Sequence, residues 1–402
     1  MTGLPLSGVI VVAMEQAVAV PFATRQLADL GARVIKIERP DTGDFARAYD
    51  GKVNGLSSAF VWLNRGKESI ELDTKSSTGG QVLAALLEQA DVFLHNISPG
   101  AARRQGLDSK TLSAAHPNLI CGSVSGYGTT GPMAETKAYD LLVQGETGLM
   151  SLNGDKDNFA KVGISVADIA AGMYTYSSVL AAIHHRSRTG EVLPVDVSLF
   201  DSLTEWLSYP MYYTQHGGVP PRRMGTSHAT IAPYGGFATA DGKRVLLAVQ
   251  NDREWRRFCA HVIELPDMAE DIRFNSHSAR VDNREELDTI VAERISILEL
   301  TSVENRLDEA GVAFARMNTI DQLHTHEQIL TRDRWVSTGS EVGQLDTLMP
   351  PWFPAGHTPD FGNIPSLGEH TDDVLAWLGA LESQIHLDDV SAAASVAQRE
   401  MS

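Results

Sequence analysis

Cysteine is scarce. Cys121 and Cys259 are the only two in the chain, far apart and in apolar surroundings. That excludes a disulfide framework or a cysteine-built zinc site and fits a reducing cytosol. Positive charge is also short: 33 Lys and Arg stand against 51 Asp and Glu, for a net charge of −18. With no basic stripe to replace phosphate counterions, nucleic acid is not an expected partner, although a few local cations can still hold one anionic ligand. No apolar run approaches a membrane span. The opening MTGLPLSGVIVVAMEQ lacks the basic start of a secretory leader. The expectation is a cytoplasmic protein with no membrane partner. No G-x-S-x-G elbow and no P-loop occur. His184-His185 and the His324/His326 pair lack a third ligand at zinc spacing, so no metal is expected.

What is present is a chain of 402 residues, long enough for a large core and two domains. Compact β-rich runs at Gly8–Met14, Arg33–Glu38, Asp91–His95, Leu119–Ser125 and Leu193–Leu199 read as strands. Helical spacing lies between them at Val18–Leu30, Gly79–Gln89, Thr111–Ala115, Asp140–Met150 and Ile169–His185, and after them at Asp201–Gln215. Strands alternating with helices predict an open, Rossmann-like parallel sheet with right-handed crossovers. The character changes at GGVPPRR, a linker by composition. Gly235–Gln250 reads as a hairpin turning at Asp241-Gly242, followed by helical stretches near Glu254–Val262, Arg284–Leu298 and Thr301–Ala310. The expected division is a large α/β domain over 1–216, a small α+β domain over 217–320 and a return segment over 321–402. That segment closes with an amphipathic helix near Asp372–Leu381 and a loose tail from about residue 383.

Four features invite a functional reading. Asp168 stands at the head of VADIAAGMYTYSSVLAAIHH, a small-residue apolar stretch that reads as a buried helix packed against other backbone. On position alone it reads first as a helix cap. The alternative is an ionised carboxylate aimed past the helix start. Gln16 follows the first strand, where α/β proteins place ligands. Arg39, Arg65, Lys67, Arg103, Arg104 and Lys137 follow strands or turns, where cations can gather around a phosphate-bearing ligand. Gly126 to Gly131 spells G-x-G-x-x-G, but Pro132 follows at once and no helix opens there, so a tight turn is the better reading.

Several stretches together resemble the class III coenzyme A transferases, the formyl-CoA transferase or CaiB/BaiF family. They are LSGVIVVAMEQAVAVPFATRQLADLGARVIKIERPDTGD, LNRGKESIELD, ADVFLHNISPGAARRQGLD, SVSGYGTTGP, KAYDLLVQGETGLMS and GISVADIAAGMY. The resemblance covers nearly the whole chain and keeps its order. It implies that Asp168 is the catalytic aspartate, which attacks an acyl-CoA thioester and then carries CoA as an aspartyl thioester to an acceptor carboxylate. Gln16 is implied beside it. CoA-contacting positions are implied at Arg39, Leu72, Asn96, Ile97, Arg104, Lys137 and Tyr139, with Ile97 replacing an aromatic often found there. CoA and acyl-CoA are then substrates, with no tightly bound cofactor. The partners are an acyl-CoA donor, a carboxylic acid acceptor and a second copy of the chain in an interlocked homodimer. Family racemases carry a His where this chain has Tyr139, so racemisation is the lesser reading. A CoA-binding protein without turnover is a further alternative. The segment around Thr226, Ser227 and His228 is similar to members that handle short dicarboxylates such as succinyl, mesaconyl, itaconyl or citramalyl groups.

Overall fold

The computed structural model describes residues 4–353 and 360–380. Its first strand, β1 (Ile10–Met14), is an unbroken run of β-branched and small residues, and Val11, Val12 and Ala13 are wholly buried. A strand buried on both faces belongs in the middle of a parallel sheet. The chain then runs through α1 (Ala19–Asp29), β2 (Arg33–Glu38), α2 (Ser58–Asn64), β3 (Lys67–Glu71), α3 (Ser77–Gln89), β4 (Val92–His95), α4 (Pro99–Gln105), α5 (Ser109–Ala115), β5 (Ile120–Ser125), α6 (Asp140–Glu146), α7 (Val166–Thr189), β6 (Val195–Ser198) and α8 (Leu199–Trp206). The six strands form one parallel sheet in the order β3-β2-β1-β4-β5-β6. The order reverses between β1 and β4. In open sheets of this kind, that reversal opens a crevice at the carboxyl ends of the strands.

One face of the sheet is covered by α3, by α5 and by the helix at 371–380, whose Val374 and Leu378 join Val12, Ile35, Phe93 and Leu86 in one core. On the other, α1 packs against α7. Gly172 permits that approach: a Cβ there would lie 2.7 Å from the Ala19 carbonyl oxygen. α7 also corrects one expectation. By length and composition it is apolar enough to cross a membrane, its 24 residues containing an 18-residue stretch of mean hydropathy 1.3. It nevertheless lies in this layer, with Ala167, Ala170, Ala171, Gly172 and Thr175 buried.

The chain divides into two compact units. Among the described residues, the first holds the sheet and comprises 4–147, 163–208, 330–353 and 360–380, and the second comprises 148–162 and 209–329. The second unit contains most of α9 (Ser208–Gly217) and an antiparallel sheet of β7 (Tyr234–Ala238), β8 (Arg244–Ala248) and β9 (Ala313–Arg316). With it are α10 (Asp252–Arg257), α11 (His277–Asp282), α12 (Arg284–Ser296) and α13 (Leu300–Ala310), around a core of Trp255, Phe258, Phe274 and Val291. Arg280 is fully buried there, its guanidinium bonded to the carbonyls of Ala232 and Phe274 and to Asp252.

Several element readings change. The hairpin turn is wider than two residues, because Ala238 pairs with Arg244 and Thr239 N–H donates to Lys243 O at 3.0 Å. The expected helix Asp201–Gln215 breaks at Leu207 into α8 and α9. Between 319 and 331 there are two short helices, α14 (Ile320–Leu323) and α15 (Glu327–Leu330). The return segment contains a hairpin of β10 (Trp335–Thr338) and β11 (Leu345–Leu348). The tail from residue 383 lies outside the described residues.

Candidate active site

A cavity of about 1040 Å³ opens at the carboxyl ends of the parallel strands. All six strands contribute to it: Gln16 follows β1, Arg39 β2, Leu72 β3, Asn96 β4, Gly126 β5 and Leu199 β6. Every lining residue belongs to the first unit.

The floor beneath β1 is a buried ionic network. Glu15 accepts from Lys67 Nζ at 2.6 Å, Lys36 Nζ at 3.2 Å and Thr24 Oγ1 at 2.6 Å. Lys36 also reaches Asp44 at 2.8 Å, and Glu38 pairs with Arg47 at 2.8 Å. Three acids thus face three bases, as a buried charge requires. Burial pushes Glu15 upward, but Lys36 and Lys67 outweigh it and hold the carboxyl below its ordinary value. Glu38 is likewise opposed by burial yet held down to about 2 by Arg47 and Lys36. For Lys67 burial wins, and the ammonium falls to about 8.

This network shapes the loop that carries Gln16. Ala17 adopts φ 62°, a left-handed conformation costly without glycine, and its N–H donates to Asp44 Oδ1 at 3.0 Å. Gln16 N–H donates to Asn96 Oδ1 at 3.1 Å, and Asn96 Nδ2 donates to Gln16 O at 2.7 Å. Gln16 Oε1 accepts from Arg39 Nη2 at 2.8 Å.

Asp168 enters from α7. It is the third residue of the helix; the cap position belongs to Ser165, which makes no side-chain cap bond. The cap reading of Asp168 is therefore corrected. Asp140, the first residue of α6, supplies the acceptor: its Oδ1 takes the Ala167 N–H at 2.8 Å. The expected ionised carboxylate is opposed by its surroundings. Burial, and then the charge of Asp140, push Asp168 up to about 7. Tyr49 and Tyr139 line the same cavity, and the Tyr49 hydroxyl is pushed up to about 12 by burial and by Asp44, Asp168 and Tyr139.

Gln16, Arg39, Leu72, Asn96, Ile97, Lys137, Tyr139 and Asp168 therefore share one cavity. Arg104 does not line it; its neighbour Gln105 does. Arg65 points into the fold, bonded to Asp29, Thr347 Oγ1 and the Leu348 carbonyl, and Arg103 pairs with Glu135. Thr226, Ser227 and His228 belong to the second unit and are not among the lining residues. There Thr226 Oγ1 accepts from Gly236 N–H at 3.0 Å, and the His228 ring stands 5.3 Å from that of Tyr234. Gly126 is a close-approach glycine, since a Cβ would collide with that of Ala138. Sequence reasoning missed Tyr49, Lys75 and Asp140 as cavity residues. Lys75 follows β3, whose polar KESIE gives no strand signal in the sequence, and Asp140 reads there only as a helix start.

The profile of CoA-transferase family III matches residues 6–371. The succinate–glutarate CoA-transferase of Agrobacterium fabrum is 34% identical over 94% of this chain and 96% of its own length. The succinyl-CoA:mesaconate CoA-transferase of Haloarcula hispanica is 31% identical over 94% of this chain and 97% of its own. Among solved structures, a CaiB/BaiF family protein from Brucella suis superposes with a TM-score of 0.83 at 31% identity, covering 94% of this chain and all of that one.

Proposed function

Because the chain belongs to CoA-transferase family III, and is a CoA transferase, we propose that it exchanges CoA between short dicarboxylic acids through a thioester on Asp168. One observation carries the mechanism: the Asp168 carboxylate stands in the large cavity at the sheet's switch point, with Gln16 and Asn96 from the strands that flank it.

The steps follow from carboxylate chemistry. Asp168 attacks the thioester carbonyl of the donor, the C–S bond breaks, and a mixed anhydride and CoA thiolate result. The thiolate attacks the aspartyl carbonyl, releasing the donor acid as a carboxylate and leaving aspartyl-CoA. The acceptor carboxylate repeats the sequence in reverse and departs as the new CoA ester. With Gln16 Oε1 engaged by Arg39, the Nε2 hydrogens are the donors its amide can offer a tetrahedral oxyanion. Arg39, Lys75 and Lys137 supply cations along the cavity for the phosphates of CoA. The dicarboxylate preference is supported by the names of the relatives above, which include succinate, glutarate and mesaconate.

The reading extends to an interlocked homodimer in the cytoplasm. Tyr209, Tyr212 and Tyr213 stand exposed on α9, as an intermolecular surface would require, and the buried free thiols of Cys121 and Cys259 fit a reducing compartment. A monomer mass by light scattering would sink the dimer.

The mechanism is tested by intact mass after incubation with succinyl-CoA, followed by peptide mapping. A CoA-sized adduct on the Asp168 peptide, absent in Asp168→Ala, is the expected result. CoA binding without an adduct from any dicarboxylyl-CoA donor rules the mechanism out.

A further inference from the structure

Asp140 spends both carboxylate oxygens inside the fold. Oδ1 accepts the Ala167 N–H at 2.8 Å, and Oδ2 accepts Gln144 Nε2 at 2.7 Å. Ala167 is the residue immediately before Asp168 in the first turn of α7. Helix starts are ordinarily capped by a neighbouring side chain; here the cap comes from a residue 27 positions earlier. A neutral amide oxygen would satisfy the same N–H. An anion adds a like charge beside a carboxylate, which disfavours that carboxylate's ionised form.

We propose that Asp140 is a positioning residue for CoA transfer: its oxygen fixes the first turn of α7 and so aims Asp168, while its charge favours the neutral, acylated form of Asp168 over the free carboxylate. This rests on the reading of Asp168 as the carrier of CoA. In that reading the donor acid leaves with the negative charge once the thiolate has attacked the aspartyl carbonyl. Aspartyl-CoA is neutral, so the repulsion present in the free carboxylate is relieved in the intermediate. An interaction that differs between two states along the reaction changes its course; a uniform one does not. Burial and Asp140 act in the same direction on Asp168.

The other charged groups around α7 are mostly engaged elsewhere. Glu15 is held by Lys36 and Lys67, and Asp44 by Lys36. Along the α1 face Arg25 pairs with Asp29, and at the start of α8 Asp201 is bonded to Ser198 Oγ. Arg39 holds Gln16, and Lys137, Tyr49 and Tyr139 line the cavity. Asp140 is the anion whose charge bears directly on Asp168.

The test uses full-length protein labelled with ¹³C-carboxyl aspartate, the Asp168 signal being assigned by its loss in Asp168→Asn. In Asp140→Asn, which keeps an oxygen for Ala167, the Asp168 titration should fall by about one pH unit. Exchange of the Ala167 amide should stay slow in that variant and quicken about tenfold in Asp140→Ala. An Asp168 titration unmoved in Asp140→Asn, or an Ala167 amide unaffected in Asp140→Ala, overturns the proposal. Both readouts are taken without acyl-CoA. If they come out as expected while no CoA adduct forms on Asp168, the coupling is upheld and the aspartyl-CoA reading is what fails.

Discussion

Asn96 grips Gln16 by both of its backbone groups, accepting the Gln16 N–H at 3.1 Å and donating to the Gln16 carbonyl at 2.7 Å. The two residues follow β1 and β4, the strands that flank the reversal of the sheet order. This clamp sets where the Gln16 amide stands in the cavity. Asn96→Ala should lower kcat/KM for succinyl-CoA by about 10- to 100-fold through misplacement of that amide. The melting temperature should change little, since the site lies at the rim of the core. Unchanged kcat/KM in a variant that binds CoA normally would remove the clamp from the mechanism.

The elevated Asp168 makes a pH prediction with a definite sign. In the proposed mechanism attack requires the carboxylate, so kcat/KM should rise about tenfold per pH unit below 7 and level off above it. Stability moves the other way. A folded-state value raised above the unfolded one means that the native protein holds the extra proton between about pH 4 and 7, so this group's contribution is lost as pH rises through 7. Asp168→Asn should therefore stabilise the protein at pH 8 by about 2 kcal/mol, a figure reduced from the full linkage because the carboxylate borders solvent. At pH 5 the gain should be clearly smaller, and below about pH 4, where the unfolded carboxyl is protonated as well, the two proteins should match. Urea titrations at pH 8 and pH 5 check this, and an equal effect at both refutes it.

The buried network should respond unequally to loss of its two lysines. Glu15, Asp44 and Glu38 outweigh burial and hold Lys36 above its ordinary value, whereas Lys67 falls to about 8. Lys36→Met leaves buried Asp44 without its ion-pair partner and Glu15 with Lys67 as its remaining cation, and should cost about 3–5 kcal/mol. Lys67→Met should cost less. The order is read from denaturant midpoints at pH 7, and the reverse order contradicts it.

A methyl group at Gly172 would press on the Ala19 carbonyl from 2.7 Å. Gly172→Ala should destabilise by about 1–3 kcal/mol, because overpacking between two helices forces backbone to shift. The shift would reach both positions proposed to act in catalysis, as α1 follows the Gln16 loop and α7 carries Asp168. Thermal melting and kcat should therefore fall together, and a fall in neither would show that the interface yields freely.

Arg104 and Lys137 separate what family resemblance implies from what the cavity contains. Lys137 lines it and Arg104 does not. Lys137→Ala should raise KM for acyl-CoA about tenfold, the worth of one charge-assisted hydrogen bond. Arg104→Ala should leave KM within about twofold. A large effect at Arg104 alone would show that its side chain reaches CoA from outside the cavity wall.

The parts of the fold legible in the sequence are those where one local signal suffices. β1, β2, β4 and β5 are apolar β-rich runs, and α1 ends against Gly31. β3 was illegible because KESIE looks polar. Its polarity is absorbed by partners far away in sequence: Lys67 on Glu15, Ser69 on Glu38 and Glu68 on Arg33. The site divides in the same way. Asp168 could be singled out, but its cap lies on another helix, and the crowding that raises it is a property of tertiary packing. Arg65 and Lys67, two of the cations grouped from the sequence, are buried structural charges.

The sheet edge at β3 is completed by a segment distant in the chain. Gly66 N–H donates to Asn363 O at 2.7 Å, His370 N–H to Ser69 O at 2.9 Å, and Glu71 N–H to Thr371 Oγ1 at 3.0 Å. Gly66, at φ 72°, has no room for a side chain beside the Phe361 carbonyl. Ser69 and His370 are 301 positions apart. At translation rates of ~5–20 residues per second, that separation is on the order of 15 to 60 s on the ribosome. For that interval the nascent sheet exposes both an unpaired strand edge and the apolar surface that Val374 and Leu378 later cover, the combination that invites association between chains. Soluble yield with and without extra ribosome-bound chaperone measures how long that edge stays open.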